Sequence, residues 1–267
     1  MRVLAIVLLL AALTYLALPV TAVFLFAVAE SWTGTILPAG WTLAWFAETA
    51  AEPRLGETLG RSLLLGASVA LVDLALVVPA LVALTVSRSR WRPLFDTAVL
   101  LPFAMPGVVL ALAIVRFYGV VWPTILNTPW LLAGAHGALA LPIVYWAILN
   151  NLKGIRLAEL YDAARTSGAG WLPFLWHVVL PNIRNGIAVA AVAAFAASFT
   201  DFAVANYIVG GSWLTFSVWQ GYVIHLNGHV MAVTAVITFA VTLVTTLVVV
   251  QELRRTRVRT PAPGGLR

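Results

Sequence analysis

The 267-residue chain contains no cysteine. Disulfides and thiolate-bound metals are therefore excluded, and the redox compartment stays open. Charge is nearly as scarce: Asp, Glu, Lys and Arg make up 10% of the residues, against about 25% in soluble domains. A soluble chain of this length could bury a large core, but its surface would need charge that this one lacks. No Gly-x-x-x-x-Gly-Lys-Ser/Thr loop is present, so the chain is not expected to bind or hydrolyse ATP itself. No dinucleotide fingerprint follows a strand pattern, and no Ser/His/Asp or Cys/His set stands in a polar context. His177, His225 and His229 show no joint ligand spacing with acids or with one another. They read as interfacial or packing residues, and neither a metal nor a cofactor is expected in this chain.

What is abundant is apolar sequence. Hydrophobic residues make up 62% of the chain, and stretches of about 20 of them recur along its length, each long enough to cross roughly 30 Å of hydrocarbon as a helix. The expected class is all-α, a polytopic membrane protein with six transmembrane helices. The spans are placed at 3–29, 62–86, 94–118, 130–149, 186–209 and 230–250. Pro19, Pro79, Pro102, Pro106 and Pro142 lie in or near them, which neighbouring helices can accommodate. The first span is too long for a signal-peptide core and ends in no small-x-small cleavage site, so it reads as an uncleaved anchor.

Basic residues orient the spans. Thirteen of the sixteen Lys and Arg residues fall at Arg2, Arg88–Arg92, Lys153–Arg184 and Arg254–Arg267, alternate loops that the positive-inside rule assigns to the cytoplasm. Both termini are then cytoplasmic. The basic balance belongs to these loops and does not imply nucleic-acid binding. The longest outward segment, 30–60, carries Trp32, Trp41, Trp45 and Phe46 as interface anchors. Residues 1–255 read as a single transmembrane domain and 256–267 as a disordered basic cytoplasmic tail.

The loop at 151–184 is polar and turn-rich between two apolar spans. Residues 158–167 are helix-forming, with Glu159 and Asp162 near the start; Gly168 and Gly170 permit a sharp turn. A second short amphipathic piece runs from Trp171 to His177, and Leu180-Pro181 closes the loop. A short cytoplasmic helix bounded by glycine is a lever that a soluble partner can grip, with Ala163 and Ala164 permitting close approach. Asp162-Ala163-Ala164, then Gly168, then Val178-x-Leu180-Pro181 resembles the EAA loop of ATP-binding-cassette (ABC) importer permeases of type I. Asp stands for Glu at 162 and Val for Ile at 178. Ser31-Trp32, Ile36-Leu37-Pro38, Trp41-Thr42-Leu43 and Phe46 look like the outward loop of the phosphonate and polyamine branch. Ser198-Phe199-Thr200-Asp201-Phe202 is similar to a stretch of polyamine, ferric-iron and phosphonate permeases.

The resemblance implies the type I permease fold and no enzymatic activity in this chain. Asp162, Ala163, Ala164, Gly168, Leu180 and Pro181 would couple it to a partner ATPase that holds ATP and Mg. The implied assembly has two ATPase subunits, a second permease subunit (paralogous or identical) and an extracytoplasmic binding protein, in the inner membrane. The implied cargo is a phosphonate, a polyamine or ferric iron, with a sugar or another solute as the alternative. An ion-coupled secondary transporter is the rival class; it would show discontinuous helices at matching positions of two halves. An intramembrane enzyme would need a catalytic set in the spans, where Asp73 and Asp201 are the available acids. Asp201, with Ser198, Thr200 and Asn206, is a candidate for the translocation path; the competing reading is a structural carboxylate capped by those neighbours. Asp73 is expected to bond a neighbouring helix, and Asp96 to start the third span.

Overall fold

The computed structural model describes residues 2–223 and 227–258. His225 and most of the tail read as disordered, 259–267, lie outside the described residues, whereas 256–258 continue the last helix. In chain order the helices are α1 (Arg2–Val28), α2 (Ala44–Ala51), α3 (Pro53–Val86), α4 (Arg92–Leu100), α5 (Gly107–Val121), α6 (Pro129–Leu152), α7 (Leu157–Thr166), α8 (Trp171–Phe174), α9 (Leu180–Asn182), α10 (Arg184–Thr200), α11 (Ala203–Ile208), α12 (Phe216–Val223) and α13 (Gly228–Val258). Among the described residues the only extended pairing is an isolated bridge between Ala29 and Trp41.

Among the described residues, four helices are by themselves long and apolar enough to cross a membrane: Leu4–Val28, Pro53–Val86, Pro129–Leu152 and Gly228–Gln251. Two further stretches are bent helix pairs, and six crossings result when each pair counts as one. This corrects the expected third and fifth spans, which are not continuous. Arg92–Ala104 meets Gly107–Val121 at 100°. Met105, the residue before Pro106, is extended (φ −115°, ψ 134°), as proline steric exclusion of the helical region demands. Trp171–Asn182 meets Arg184–Thr200 at 79°, with the break at Ile183. Leu180-Pro181 therefore lies inside a helix rather than closing a loop: π-helical turns over Leu175–Val179 join α8 to α9. The fifth span also ends early. Helix α10 stops at Thr200, Asp201 is extended (φ −71°, ψ 118°), and α11 begins at Ala203.

The described residues fall into two compact units, Met1–Leu59 with Trp219–Leu243, and Gly60–Val218 with Val244–Arg267. In the first, His229 lies between two parallel rings, 4.2 Å from Phe26 and 5.0 Å from Trp45 by centroid. Its Nδ1 donates to the Phe26 carbonyl (2.9 Å), and Trp45 Nε1 donates to the Ala29 carbonyl (2.8 Å). His229 is thus a packing residue, as expected from its spacing.

The second unit is built on α6 and α10. Thr128 caps α6, its hydroxyl accepting from the Leu131 N–H, and Pro129 occupies the first turn, where its missing N–H is no loss. On α10, Gly186, Ala190, Ala194 and Ser198 recur every fourth residue and are all buried. On α6, His136, Ala140, Val144 and Ile148 do the same. Small residues on one face let the two helices approach closely without a bulky intermediate layer. The pair is antiparallel: Ser198 bonds His136 at one end, and at the other a Cβ on Gly186 would collide with Asn151. Helix α3 uses the same device, because a Cβ on Gly66 would come 2.8 Å from Phe195 Cδ2 and 3.2 Å from the Phe195 carbonyl oxygen. Gly66→Ala should therefore destabilise the protein by about 1–3 kcal/mol, the usual range for overpacking. A lower melting midpoint in detergent is the measurement, and an unchanged midpoint would show that the contact relaxes freely.

Candidate coupling segment and buried polar junction

Helix α7 spans Leu157–Thr166, one residue from the boundaries that the sequence suggests. Glu159 stands in its first turn and Arg165 in its last, each complementing the helix dipole. Its C-terminus closes in a Schellman motif: Ala169 N–H reaches the Ala164 carbonyl (2.9 Å) and Gly168 N–H the Arg165 carbonyl (3.0 Å). Gly168 has φ +78°, the left-handed conformation that this motif needs and that glycine adopts without a Cβ penalty. The hydroxyls of Thr166 and Ser167 add bonds to the Ala163 carbonyl.

The segment has an anchored side and an open side. Leu157 and Phe174 are fully buried. Tyr161 packs edge-on against Phe174 at 5.0 Å and Trp171 at 6.3 Å, so α7 is tied to the helix that leads through the 79° bend into α10. Asp162 and Ala163 are exposed and Ala164 half-buried. Leu172 and Trp176 expose about two thirds of their surface. Pro181 is exposed and Leu180 half-buried. Six motif residues are thus not one cluster. Asp162, Ala163, Ala164 and Gly168 shape α7 and its cap, whereas Leu180 and Pro181 belong to the helix beneath the bend.

A second polar feature joins α6 to the break after α10. His136 Nδ1 is 2.8 Å from Ser198 Oγ, and its Nε2 is 3.2 Å from Asp201 Oδ2. The same Oδ2 accepts from the N–H groups of Val204 (2.9 Å) and Ala205 (3.1 Å), capping α11. Ser217 Oγ donates to the Asp201 carbonyl at 2.6 Å. Because Asp201 Oδ2 only accepts from these donors, the histidine tautomer with Nε2–H and an accepting Nδ1 fits. His136 and Ser198 are buried, and the Asp201 side chain is 26% exposed.

Sequence reasoning passed over His136 and found no Ser/His/Asp set, because its partners lie 62 and 65 residues away. The available signal was the histidine itself, since an imidazole inside an apolar span needs a partner as an acid does. Ser198 reaches Asp201 only through His136. Thr200 bonds the Ala196 carbonyl instead (2.8 Å) and faces outward, and Asn206 is half-buried on α11. Asp73 departs from its expected role: it packs against α6 at Gly137, but its Oδ2 has no hydrogen-bond partner. Asp96 sits in α4, 3.8 Å from Arg92. Among the described residues no group of three His, Asp or Glu side chains is placed to hold a metal ion.

The family model of binding-protein-dependent transport system inner membrane components matches residues 75–258, most of the chain. The chain belongs to this family. It is an ABC transporter permease, a multi-pass membrane transport component rather than an enzyme. The permease is 27% identical over 211 residues to sulfate permease 2, chloroplastic, of Chlamydomonas reinhardtii. That match covers 74% of this chain and 54% of that protein, so the permease spans about half the length of that relative. It also shares its fold with a chain of a bacterial ABC transporter involved in the import of the acidic polysaccharide alginate, at a TM-score of 0.72 and 15% identity, over 94% of this permease and 95% of that chain. The two bent crossings are the third and the fifth, not matching positions of two three-span halves as a secondary transporter would show, and the family match decides against that class.

Proposed function

We propose that this permease forms half of the translocation path of an ATP-driven importer, with α7 as the helix that docks on a separate ATPase subunit. The observation that carries this reading is α7 itself: a separately capped, exposed helix in a basic loop, tied by Tyr161, Trp171 and Phe174 to the bent helix that continues into α10. ATP and Mg are held by two ATPase subunits. A second permease subunit, paralogous or identical, completes the path, and an extracytoplasmic binding protein delivers the solute. Both termini lie on the cytoplasmic side of the inner membrane. ATP binding draws the two docked helices together and opens the path outward; hydrolysis resets it.

Among the expected cargoes this reading favours the phosphonate over a polyamine or ferric iron, and with it other oxyanions such as sulfate. Asp201 directs Oδ2 to His136 and two backbone donors, and Arg116 is exposed on the apolar helix α5, a cationic group that an oxyanion could meet. The sulfate permease and the alginate importer noted above both handle anions by name.

The test is uptake into proteoliposomes that contain the complete complex with its binding protein, offered sulfate, a phosphonate, spermidine and ferric iron in parallel. ATP-dependent uptake of an anion is expected. Uptake driven by an ion gradient without ATP would overturn the importer reading, and ATP-dependent uptake of spermidine or iron alone would overturn the oxyanion. Separated from all partners, the chain should neither bind ATP saturably nor hydrolyse it, having no phosphate-cradling loop; equilibrium binding of radiolabelled ATP checks this.

A further inference from the structure

The turn that joins α3 to α4, residues 87–91, is short and basic. The apolar run of α3 continues to Val86, and α4 opens the first bent pair at Arg92. So few residues cannot carry a turn far from the bilayer, and this one lies at headgroup depth, whereas α7 projects on the much longer loop between α6 and α10. The arginines here differ in what they meet. Arg92 Nη1 donates to Thr85 Oγ1 (3.1 Å), and its Nε lies 3.8 Å from Asp96 Oδ2. Arg88 and Arg90 are exposed, and among the described residues no acid pairs with either. The Arg90 guanidinium lies over the Trp91 ring, 5.4 Å from its centroid. Beside it Trp91 is 59% and Leu94 61% exposed.

Arg88 is held under strain. The Ser89 N–H bonds the Leu84 carbonyl (3.3 Å) and the Arg88 N–H the Thr85 carbonyl (3.4 Å), the same Schellman pattern that closes α7 at Gly168. Arg88 fills the left-handed position at φ +47°, where a Cβ is penalised and glycine is not. A side chain retained against such strain points to a role for its guanidinium. Two unpaired guanidinium groups at headgroup depth call for anions, and an exposed Trp and Leu beside them suit the boundary between headgroups and hydrocarbon. An acidic protein surface would match the charge but not the depth. We infer that this turn binds an anionic phospholipid, whose phosphate engages Arg88 and Arg90 while its chains lie against Trp91 and Leu94. The placement holds whichever face of the membrane the turn occupies.

The test is photolabelling of the complete complex in nanodiscs of phosphatidylcholine, doped with a diazirine analogue of either phosphatidylglycerol or phosphatidylcholine. Adducts are mapped by mass spectrometry. The phosphatidylglycerol analogue should label residues 87–94 several-fold more than the phosphatidylcholine analogue. Arg88→Gln combined with Arg90→Gln should remove that preference and leave labelling elsewhere unaltered. Arg88→Gly should raise the melting midpoint by relieving the left-handed strain, yet lower the labelling, a split that a merely structural turn would not give. Equal labelling by the two analogues, or a preference that survives the double glutamine variant, overturns the inference. So does loss of the preference to excess inorganic phosphate at constant ionic strength, which would mark a site for a soluble anion. Labelling that appears only after the ATPase subunits are stripped away would mark a protein contact and overturn it as well. Should the double variant fail to insert, the comparison of the two analogues on the unaltered chain still decides.

Discussion

Gly168→Pro should leave the permease in the membrane and stop transport. At φ +78° the position is closed to proline, whose ring holds φ near −65°. The substitution also removes the Gly168 N–H that bonds the Arg165 carbonyl and pushes Ser167 before it, at φ −82° and ψ 3°, toward extended backbone. The local loss is about 3 kcal/mol or more, enough to unwind the cap of a ten-residue helix and to re-aim Tyr161 away from Trp171 and Phe174. Gly168→Ala is the control. No atom lies within 4 Å of its Cβ, so it meets only the strain of the left-handed conformation, about 1–2 kcal/mol, and most activity should survive. Asp162→Lys inverts an exposed charge without touching the cap, and should weaken docking while the fold is kept. Uptake and ATPase stimulation by the binding protein should fall together in Gly168→Pro and in Asp162→Lys, at normal membrane levels of the chain. Normal uptake in Gly168→Pro would remove the coupling role from α7.

Asp201→Leu should cost the assembled complex about 2–4 kcal/mol of stability. The change strands the buried His136 Nε2–H, a loss of about 1–3 kcal/mol, and uncaps α11, a further loss of about 1 kcal/mol. His136→Leu should be milder. Asp201 would keep the Val204 and Ala205 N–H groups, and Ser198 could turn back to a carbonyl of its own helix. The double variant should lose less than the sum of the two single losses, because the residues share one interaction. Asp201→Asn retains an accepting oxygen and should be the least affected. The readings are melting midpoint, yield of complex and uptake per assembled complex. A junction that only holds α6, α10 and α11 together lowers the first two and leaves the third unchanged. A shift in substrate preference at normal yield would instead place Asp201 in the path.

The four continuous spans and the helix α7 were legible because each is decided locally. A bilayer acts on every residue of a stretch alike, so span length follows from composition over about 20 residues. The ends of α7 follow from Glu159, Arg165 and Gly168, all within a turn or so of the bond they make. The break at Pro106 was half-visible: proline forbids the preceding residue a helical conformation, but whether neighbouring helices absorb that defect, as around Pro79 and Pro142, is not a local question.

What the sequence by itself determined, then, is the membrane class, the four continuous crossings and the motif-bearing loop with its glycine cap. Only the tertiary structure decided that Ser198 reaches Asp201 through His136, that Asp201 caps a new helix instead of standing inside a continuous one, and that Asp73 is buried without a donor. The reason is physical. Hydrophobic transfer and helix capping are read from neighbours in the chain, whereas the partner of a buried polar group depends on which helix faces face each other. Here that is set by Gly186, Ala190, Ala194 and Ser198 packing antiparallel on α6, a pairing between residues more than 30 positions apart that no local pattern encodes.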